Sequence, residues 1–305
     1  MTDIISCKNW KTICDHIYCP VDGYDIVPDG GVVWCTLDDI VGFFNKIRGN
    51  NKKYIIVSSY SDFGLCYQKD NSPNDDLIRL VKLACHSNPT LGYTGCQIPP
   101  VCNTETCNPN DKYSIKCYRY TSQTFNTIPE EIKAWFCVNN TLPEYEMFTI
   151  PFGVPEGKES YFENIKIPKH KENKIYVNWS DNTLERALLK EQLKKEKDVV
   201  VEENNLEYGE FIERLLRYNY VLCPPGNGID SYRILESIYC GCWPIVEDNM
   251  RTFDLCPKYK NVNDILWCIH NSNTLSEVLD MFDYTRQDYK KTKLLYWKER
   301  IDSVR

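Results

Sequence analysis

Residues 220–248, reading YVLCPPGNGIDSYRILESIYCGCWPIVED, constrain the fold of this chain more than any other stretch, because they form a complete strand, turn, helix and strand. Residues 220–223 are a short β-prone apolar run, after which Pro224, Pro225, Gly226, Asn227 and Gly228 impose a tight turn. Asp230 or Ser231 caps the helix that follows, on which Ile234, Leu235, Ile238 and Tyr239 recur at helical spacing. Gly241 suits its C-terminal cap, and residues 243–246 form the next apolar run. Arg233 and Glu236 stand three apart, on neighbouring positions of one helical face near the N-terminus. Glycine amides, a helix dipole, an arginine and a carboxylate therefore converge, a set that suits a nucleotide with its phosphates on the amides and Arg233 and its ribose diol on Glu236. A structural turn with a buried Arg/Glu pair is the competing reading of the same residues. The turn lacks the Gly-Lys-Ser/Thr ending of a P-loop and the third glycine of a dinucleotide fingerprint.

The same alternation of strand and helix runs through the rest of the chain. In the first half, residues 32–35 read as a strand, DDIVGFFNKI as a helix with Ile40, Phe43, Phe44 and Ile47 on one face, and YIIVSS as a buried parallel strand. A helix over residues 75–86 precedes a Pro-, Gly-, Asn- and Cys-rich loop, and residues 133–137 form the strand approaching a linker. In the second half KIYVNW, DVVVE and YVLC are strands, while TLERALLKEQLKKE and YGEFIERLLRYNY are helices; the tail containing LLYWKERI is helical. Such βα repeats require parallel sheets with helices on both faces, so the fold class is α/β. A length of 305 residues exceeds one ordinary core, which predicts two Rossmann-like domains joined near Pro151 to Pro155.

Composition excludes several functions. The 42 % hydrophobic and 26 % charged content is that of a folded chain, and no apolar run approaches the ~20 residues of a membrane span. A net charge of −7 argues against a nucleic-acid partner, and the lysines at 190, 194, 195 and 197 alternate with Glu191 and Glu196 as on a solvated helix face. Polar residues occupy the place where a signal peptide would carry its apolar core, so the expected location is cytoplasmic. In that setting the sequons at Asn139 and Asn178 read as chance, and Cys223, Cys240 and Cys242 as reduced, buried residues. Cys96, Cys102, Cys107 and Cys117 offer a metal site or two disulfides, although zinc sites usually draw on tighter ligand pairs.

The pattern filled by Cys223, Pro224, Gly226, Asn227, Gly228, Asp230, Arg233, Glu236, Gly241, Cys242, Pro244, Ile245 and Val246 resembles the C-terminal signature of the exostosin-like glycosyltransferases, and closely that of their short relatives in large DNA viruses of algae and amoebae. IYVNWSDNTLERALL resembles the first strand and turn of that family's nucleotide-binding domain, with Asn178, Thr183 and Arg186 where polar groups stand near the donor phosphates. AWFCVNN and FTIPFGVPEG resemble its interdomain crossing, and YIIVSSYSDFG, with Ser59 and Asp62, a strand whose end faces the cleft. The resemblance spans roughly residues 54 to 250 and implies a GT-B fold, two Rossmann-like domains facing each other across a cleft. Residues 1–150 would bind the acceptor and residues 151–275 the nucleotide sugar, with helices over 276–305 crossing back to the first domain.

The activity so implied moves a sugar from a nucleoside diphosphate, UDP in preference to GDP, to a glycan acceptor. The chain has no Asp-x-Asp metal clamp, so Arg233, Arg186 and backbone amides are expected to stabilise the leaving diphosphate without a divalent metal or other cofactor. Pro225, Gly226, Asn227, Gly228, Asp230, Ser231, Tyr232, Arg233 and Glu236 join Asn178, Thr183 and Arg186 as donor-binding residues. Asp62, following a strand at the cleft edge, is the candidate general base of an inverting reaction, with His86 as second choice. Trp179 and Tyr232 lie nearest the donor as stacking surfaces. A retaining mechanism, and a catalytically silent nucleotide- or glycan-binding protein on the same fold, are the alternatives. The sequence leaves the oligomeric state open.

Overall fold

The computed structural model describes residues 3–18, 27–36, 39–59, 128–139, 147–181, 184–203, 205–226, 230–247, 256, 258–260, 262–263, 265–266 and 290–305. The helix expected over 75–86 and the cysteine-rich loop lie outside them. Two compact units are drawn from these residues, one from 7–152 and 297–305, the other from 1–6, 153–226 and 230–296.

The first unit carries five parallel strands in consecutive order, β1 (His16–Ile17), β2 (Gly31–Trp34), β3 (Tyr54–Ser58), β4 (Ile132–Cys137) and β5 (Met147–Thr149). The unbroken apolar runs of β2 and β3 are buried at every position, the pattern of strands covered on both faces. Helix α2 (Ile40–Ile47) places Ile40, Phe43, Phe44 and Ile47 in one core with Tyr54, Ile56 and Trp135. Its aromatics meet their neighbours edge-on, Phe44 on Trp135 at 5.5 Å and Phe43 on Tyr54 at 5.8 Å. Ser58 and Ser59, at the end of β3, accept hydrogen bonds from the indoles of Trp135 and Trp34 at 3.0 and 2.9 Å. Ser59 thus satisfies a buried tryptophan.

Residues 3–18, which carry no strong sequence signal, are also parts of the fold. Helix α1 (Cys7–Thr12) buries Trp10, whose indole donates to the Pro151 carbonyl at 3.2 Å and lies edge-on to Trp297 at 6.1 Å. β1 then pairs with β2 through His16 and Val33.

The second unit contains α3 (Ser160–Glu163), β6 (Glu172–Val177), α4 (Leu184–Leu193), β7 (Val199–Val201), α5 (Tyr208–Leu215), β8 (Tyr218–Cys223), α6 (Tyr232–Tyr239), β9 (Trp243–Glu247) and β10 (Lys258–Tyr259). Its five strands are again parallel, in the order β10-β9-β8-β6-β7. Both units therefore have the α/β architecture of Rossmann-like folds. The helix expected to run through YGEFIERLLRYNY stops at Leu215, and β8 begins at Tyr218 instead of Tyr220. A turn at Leu216 and Arg217 ends the helix, freeing Tyr218 to pair with Glu172. Glu207 and Glu210 start α5 with a reciprocal capping box. Ser231 occupies the N-cap of α6 with extended backbone, but makes no capping side-chain bond, contrary to the sequence expectation. At the other end Gly241, with φ 67°, completes a Schellman motif in which its amide and that of Cys242 donate to the carbonyls of Ile238 and Ser237.

The last helix, α7 (Leu294–Val304), contributes Trp297 onward to the first unit, where the Arg305 guanidinium pairs with Asp15 at 2.8 Å. Among the described residues no helix is long and apolar enough to cross a membrane.

The N-terminal residues of the second unit are tied in by backbone. The Ile5 carbonyl accepts from the Val154 amide at 2.8 Å, its own amide donates to the Tyr239 hydroxyl at 3.0 Å, and that hydroxyl donates to the Thr292 carbonyl at 2.7 Å. Gly153 makes this possible: its φ is 99°, and a Cβ there would stand 2.8 Å from the Ile5 oxygen and the Ser6 Cα. Gly153→Ala is expected to lower unfolding stability by at least about 1–3 kcal/mol from backbone strain alone, measured by urea denaturation; an unchanged midpoint would show that residues 3–6 adjust freely.

Candidate functional site

In the sheet of the second unit β6 lies between its two sequence successors, β7 on one side and β8 on the other. Connections leaving β6 and β8 therefore diverge, and the carboxyl ends of these two strands form the switch point at which open α/β sheets bind ligands. The consecutive order in the first unit creates no such point among the described strands. The residues at this edge are Asn178, after β6, and Pro224, Pro225 and Gly226, after β8.

Arg186, on the first turn of α4, lies beneath the β8 turn. Its Nε donates to the Pro225 carbonyl and its Nη2 to the Pro224 carbonyl, both at 2.9 Å. Two consecutive prolines supply no amides, so the guanidinium satisfies carbonyls that no secondary structure reaches. A Cβ on Gly226 would lie 2.8 Å from Nη2, which explains the glycine. Burial, and then the charge of Arg233, lowers the Arg186 pKa to about 10. The sign of this shift is unfavourable to folding at every pH below about 10, because burial penalises the charged form that the unfolded chain carries freely. An anion placed against these two cations would relieve it.

Arg233, on the first turn of α6, is held with its guanidinium carbon 3.7 Å from the centre of the Phe211 ring. Nη1 lies 3.6 Å from Glu236 Oε2. Among the described residues the buried Nε and Nη1 find no hydrogen-bond partner, and neither does the buried Ser231 Oγ. Nη1 has its ion pair with Glu236, which leaves Nε and the Ser231 hydroxyl as the polar atoms at the α6 N-terminus whose hydrogen-bonding capacity is unused among the described residues. Glu236 is buried and accepts from the Tyr208 hydroxyl at 2.9 Å through Oε1. Burial raises its pKa, against the opposing influence of Arg233 and of the Tyr208 bond. One of the carboxylate's four lone-pair directions is thus engaged by a hydrogen bond, and its other oxygen faces Arg233 in an ion pair.

Two other residues expected near the donor, Asn178 and Trp179, have hydrogen-bond partners within the fold. The Asn178 amide donates to the Glu203 carbonyl at 2.9 Å, tying the end of β6 to that of β7. Trp179 is a core residue packed with Val177, Leu193 and Leu222, its indole donating to the Arg186 carbonyl; burial removes it as a stacking surface. Lys190, also buried, donates to the Trp179 carbonyl at 2.9 Å and pairs with Asp181 at 2.7 Å. Asp230 is buried and Tyr232 half-buried beside the α6 N-terminus. Cys223, Cys240 and Cys242 are buried free thiols whose pKa values burial raises, so they are poor nucleophiles. Thr183, Asn227, Gly228, Asp62 and His86 lie outside the described residues. Among the described residues no group of three or more His, Cys, Asp or Glu could hold a metal ion.

Two functional contacts carry little sequence signal, those of Tyr208 and Phe211. Their i, i+3 spacing at the start of an amphipathic helix marks them only as packing residues. Their role follows from α5 and α6 lying side by side.

Comparison with known proteins points the same way. Residues 171–300 match a family model described as the RXYLT1 C-terminal domain, named for a xylosyltransferase. A 72-residue stretch is 31 % identical to a probable glycosyltransferase of Arabidopsis thaliana, covering 24 % of this chain and 15 % of the plant protein's length. With the α/β fold, these similarities support placing the chain in the glycosyltransferase class.

Because burial disfavours the charged Glu236, its contribution to stability falls as pH rises through the unfolded and then the folded carboxylate range. Glu236→Gln is therefore expected to unfold at the same or a higher temperature than the wild type at neutral pH; a clearly lower melting temperature would make the carboxylate a structural requirement.

Proposed function

We propose that the chain is a GT-B glycosyltransferase that moves a sugar from a nucleoside diphosphate, UDP in preference to GDP, onto a glycan acceptor. The observation that carries this reading is that Arg233 Nε and Ser231 Oγ, buried at the switch point of the second sheet, make no hydrogen bond among the described residues, backed by the buried cation of Arg186. The diphosphate would take the Arg233 guanidinium, the Ser231 hydroxyl and amides of the α6 N-terminus, and the ribose would bond Glu236. Arg186 acts through the turn it braces, a change from the direct phosphate contact expected of it. Charge on the leaving group is met by these residues in our reading, without a divalent metal. Asp62 is the proposed general base of an inverting transfer, with residues 1–150 receiving the acceptor. The family similarity leaves hexosyl and pentosyl donors both open, and a cytoplasmic setting is part of the proposal.

A silent binding protein on the same fold is the second reading, favoured by the completeness of the donor residues relative to the single candidate base. The two part on turnover: Asp62→Asn should abolish transfer and keep nucleotide binding if the chain is an enzyme.

Calorimetry with UDP, GDP and their sugars in EDTA tests the donor site. Binding to the wild type is expected, weakened roughly 10²-fold in Arg233→Ala and also reduced in Glu236→Ala. Failure of every nucleotide to bind would reduce the turn and helix to scaffold.

A further inference from the structure

Tyr208 stands where the donor reading needs a residue that it does not name. Its hydroxyl donates to Glu236 Oε1 at 2.9 Å, while Oε2 lies 3.6 Å from Arg233 Nη1. The ring is gripped from several sides: Tyr161 edge-on at 5.1 Å, Phe162 edge-on at 6.5 Å, Phe211 at 5.9 Å, and the Lys158 ammonium 5.0 Å from its centre. Phe211, one turn on, carries the Arg233 guanidinium on its face. Helix α5 thus fixes both members of the Arg233/Glu236 pair, one by a hydrogen bond and the other by stacking. Burial, the neighbouring Glu236 charge and the hydrogen bond to it all keep the phenol protonated, so it serves only as a donor to the carboxylate.

We propose that Tyr208 is the positioning residue that sets ribose recognition: by holding Oε1, it turns the remaining lone pairs of Glu236 toward a sugar hydroxyl and makes the site selective for ribonucleoside over deoxyribonucleoside diphosphates. A carboxylate held at one oxygen by a rigid phenol keeps one rotamer, whereas without the phenol Glu236 swings toward Arg233 and pairs with it more closely. The ribose hydroxyl then loses its acceptor. The proposal rests on the donor site described above, and the experiment separates the two.

Dissociation constants of UDP and GDP, with their 2′-deoxy and 3′-deoxy analogues, are measured for the wild type and for Tyr208→Phe, alongside thermal melting of both. The wild type should prefer the ribonucleotide over at least one deoxy analogue by about tenfold, the worth of a charge-assisted hydrogen bond. Tyr208→Phe should lose most of that preference by weakening the ribonucleotide alone, with the deoxy affinity and the melting temperature little changed. Equal weakening of both nucleotides would assign Tyr208 to scaffold and overturn the proposal, as would an unaltered preference. Absence of binding to the wild type would instead remove the donor site itself, and this inference with it.

Discussion

The guanidinium of Arg186 is the constraint around which the second unit is arranged. A turn that opens with two prolines exposes carbonyls with no amides to meet them, and at the end of a central strand such groups cannot reach bulk water. Arg186 meets both from below, which fixes the path of the chain leaving β8 and requires a residue without a side chain at Gly226. The start of α6 follows from that path, and the strand order brings the same edge beside the end of β6. Lys190 repeats the device one turn along α4, where its ammonium meets the Trp179 carbonyl. Helix α4 therefore supports the loops after both strands with buried cations.

Above this scaffold the molecule keeps interactions that folding alone does not favour. Arg186 and Arg233 are close enough for one charge to oppose the other, Arg233 Nε makes no hydrogen bond among the described residues, and Glu236 is a carboxylate held in a dry environment. Each is an expense that packing of apolar residues would avoid. Arg186 comes from α4 and the other two from the first turns of α6, so these charges converge from two helices in a way that an ordinary buried ion pair does not require. The aromatic cluster of Tyr161, Phe162, Tyr208 and Phe211 supplies the rigidity that such an arrangement needs.

Much of the fold was legible in the chain. Parallel strands announced themselves as short continuous apolar runs, α2 by its 3-4 spacing, and the α6 C-terminus by Gly241. The boundary at Leu215 was misplaced because the aromatic residues after it suit a helix or a strand equally, and only pairing with β6 decides between them. Residues 3–18 gave no pattern because α1 and β1 are too short to establish a period. The donor residues proposed on α6 could be named from sequence because turn and helix are contiguous there. Arg186 was singled out by resemblance as a residue near the donor phosphates, and its bonds to the Pro224 and Pro225 carbonyls could not be read from sequence because they join segments 38 and 39 residues apart. Trp179 was misjudged, since an indole near a site is as often under it as in it. Tyr208 was silent, because its partner lies 28 residues away on another helix.

The bonds of Ile5 give the order of synthesis a bearing on folding. Its amide is met by a hydroxyl 234 residues later in the chain, which in turn donates to Thr292. At roughly 5–20 residues per second, the opening segment waits on the order of ten to fifty seconds on a ribosome before that partner exists. During this interval Ile4 and Ile5, both buried in the finished fold, lack that cover. Completion of the second unit therefore waits on Tyr239 and Thr292, and the segment around Ile5 is held in its final place only after both have been made.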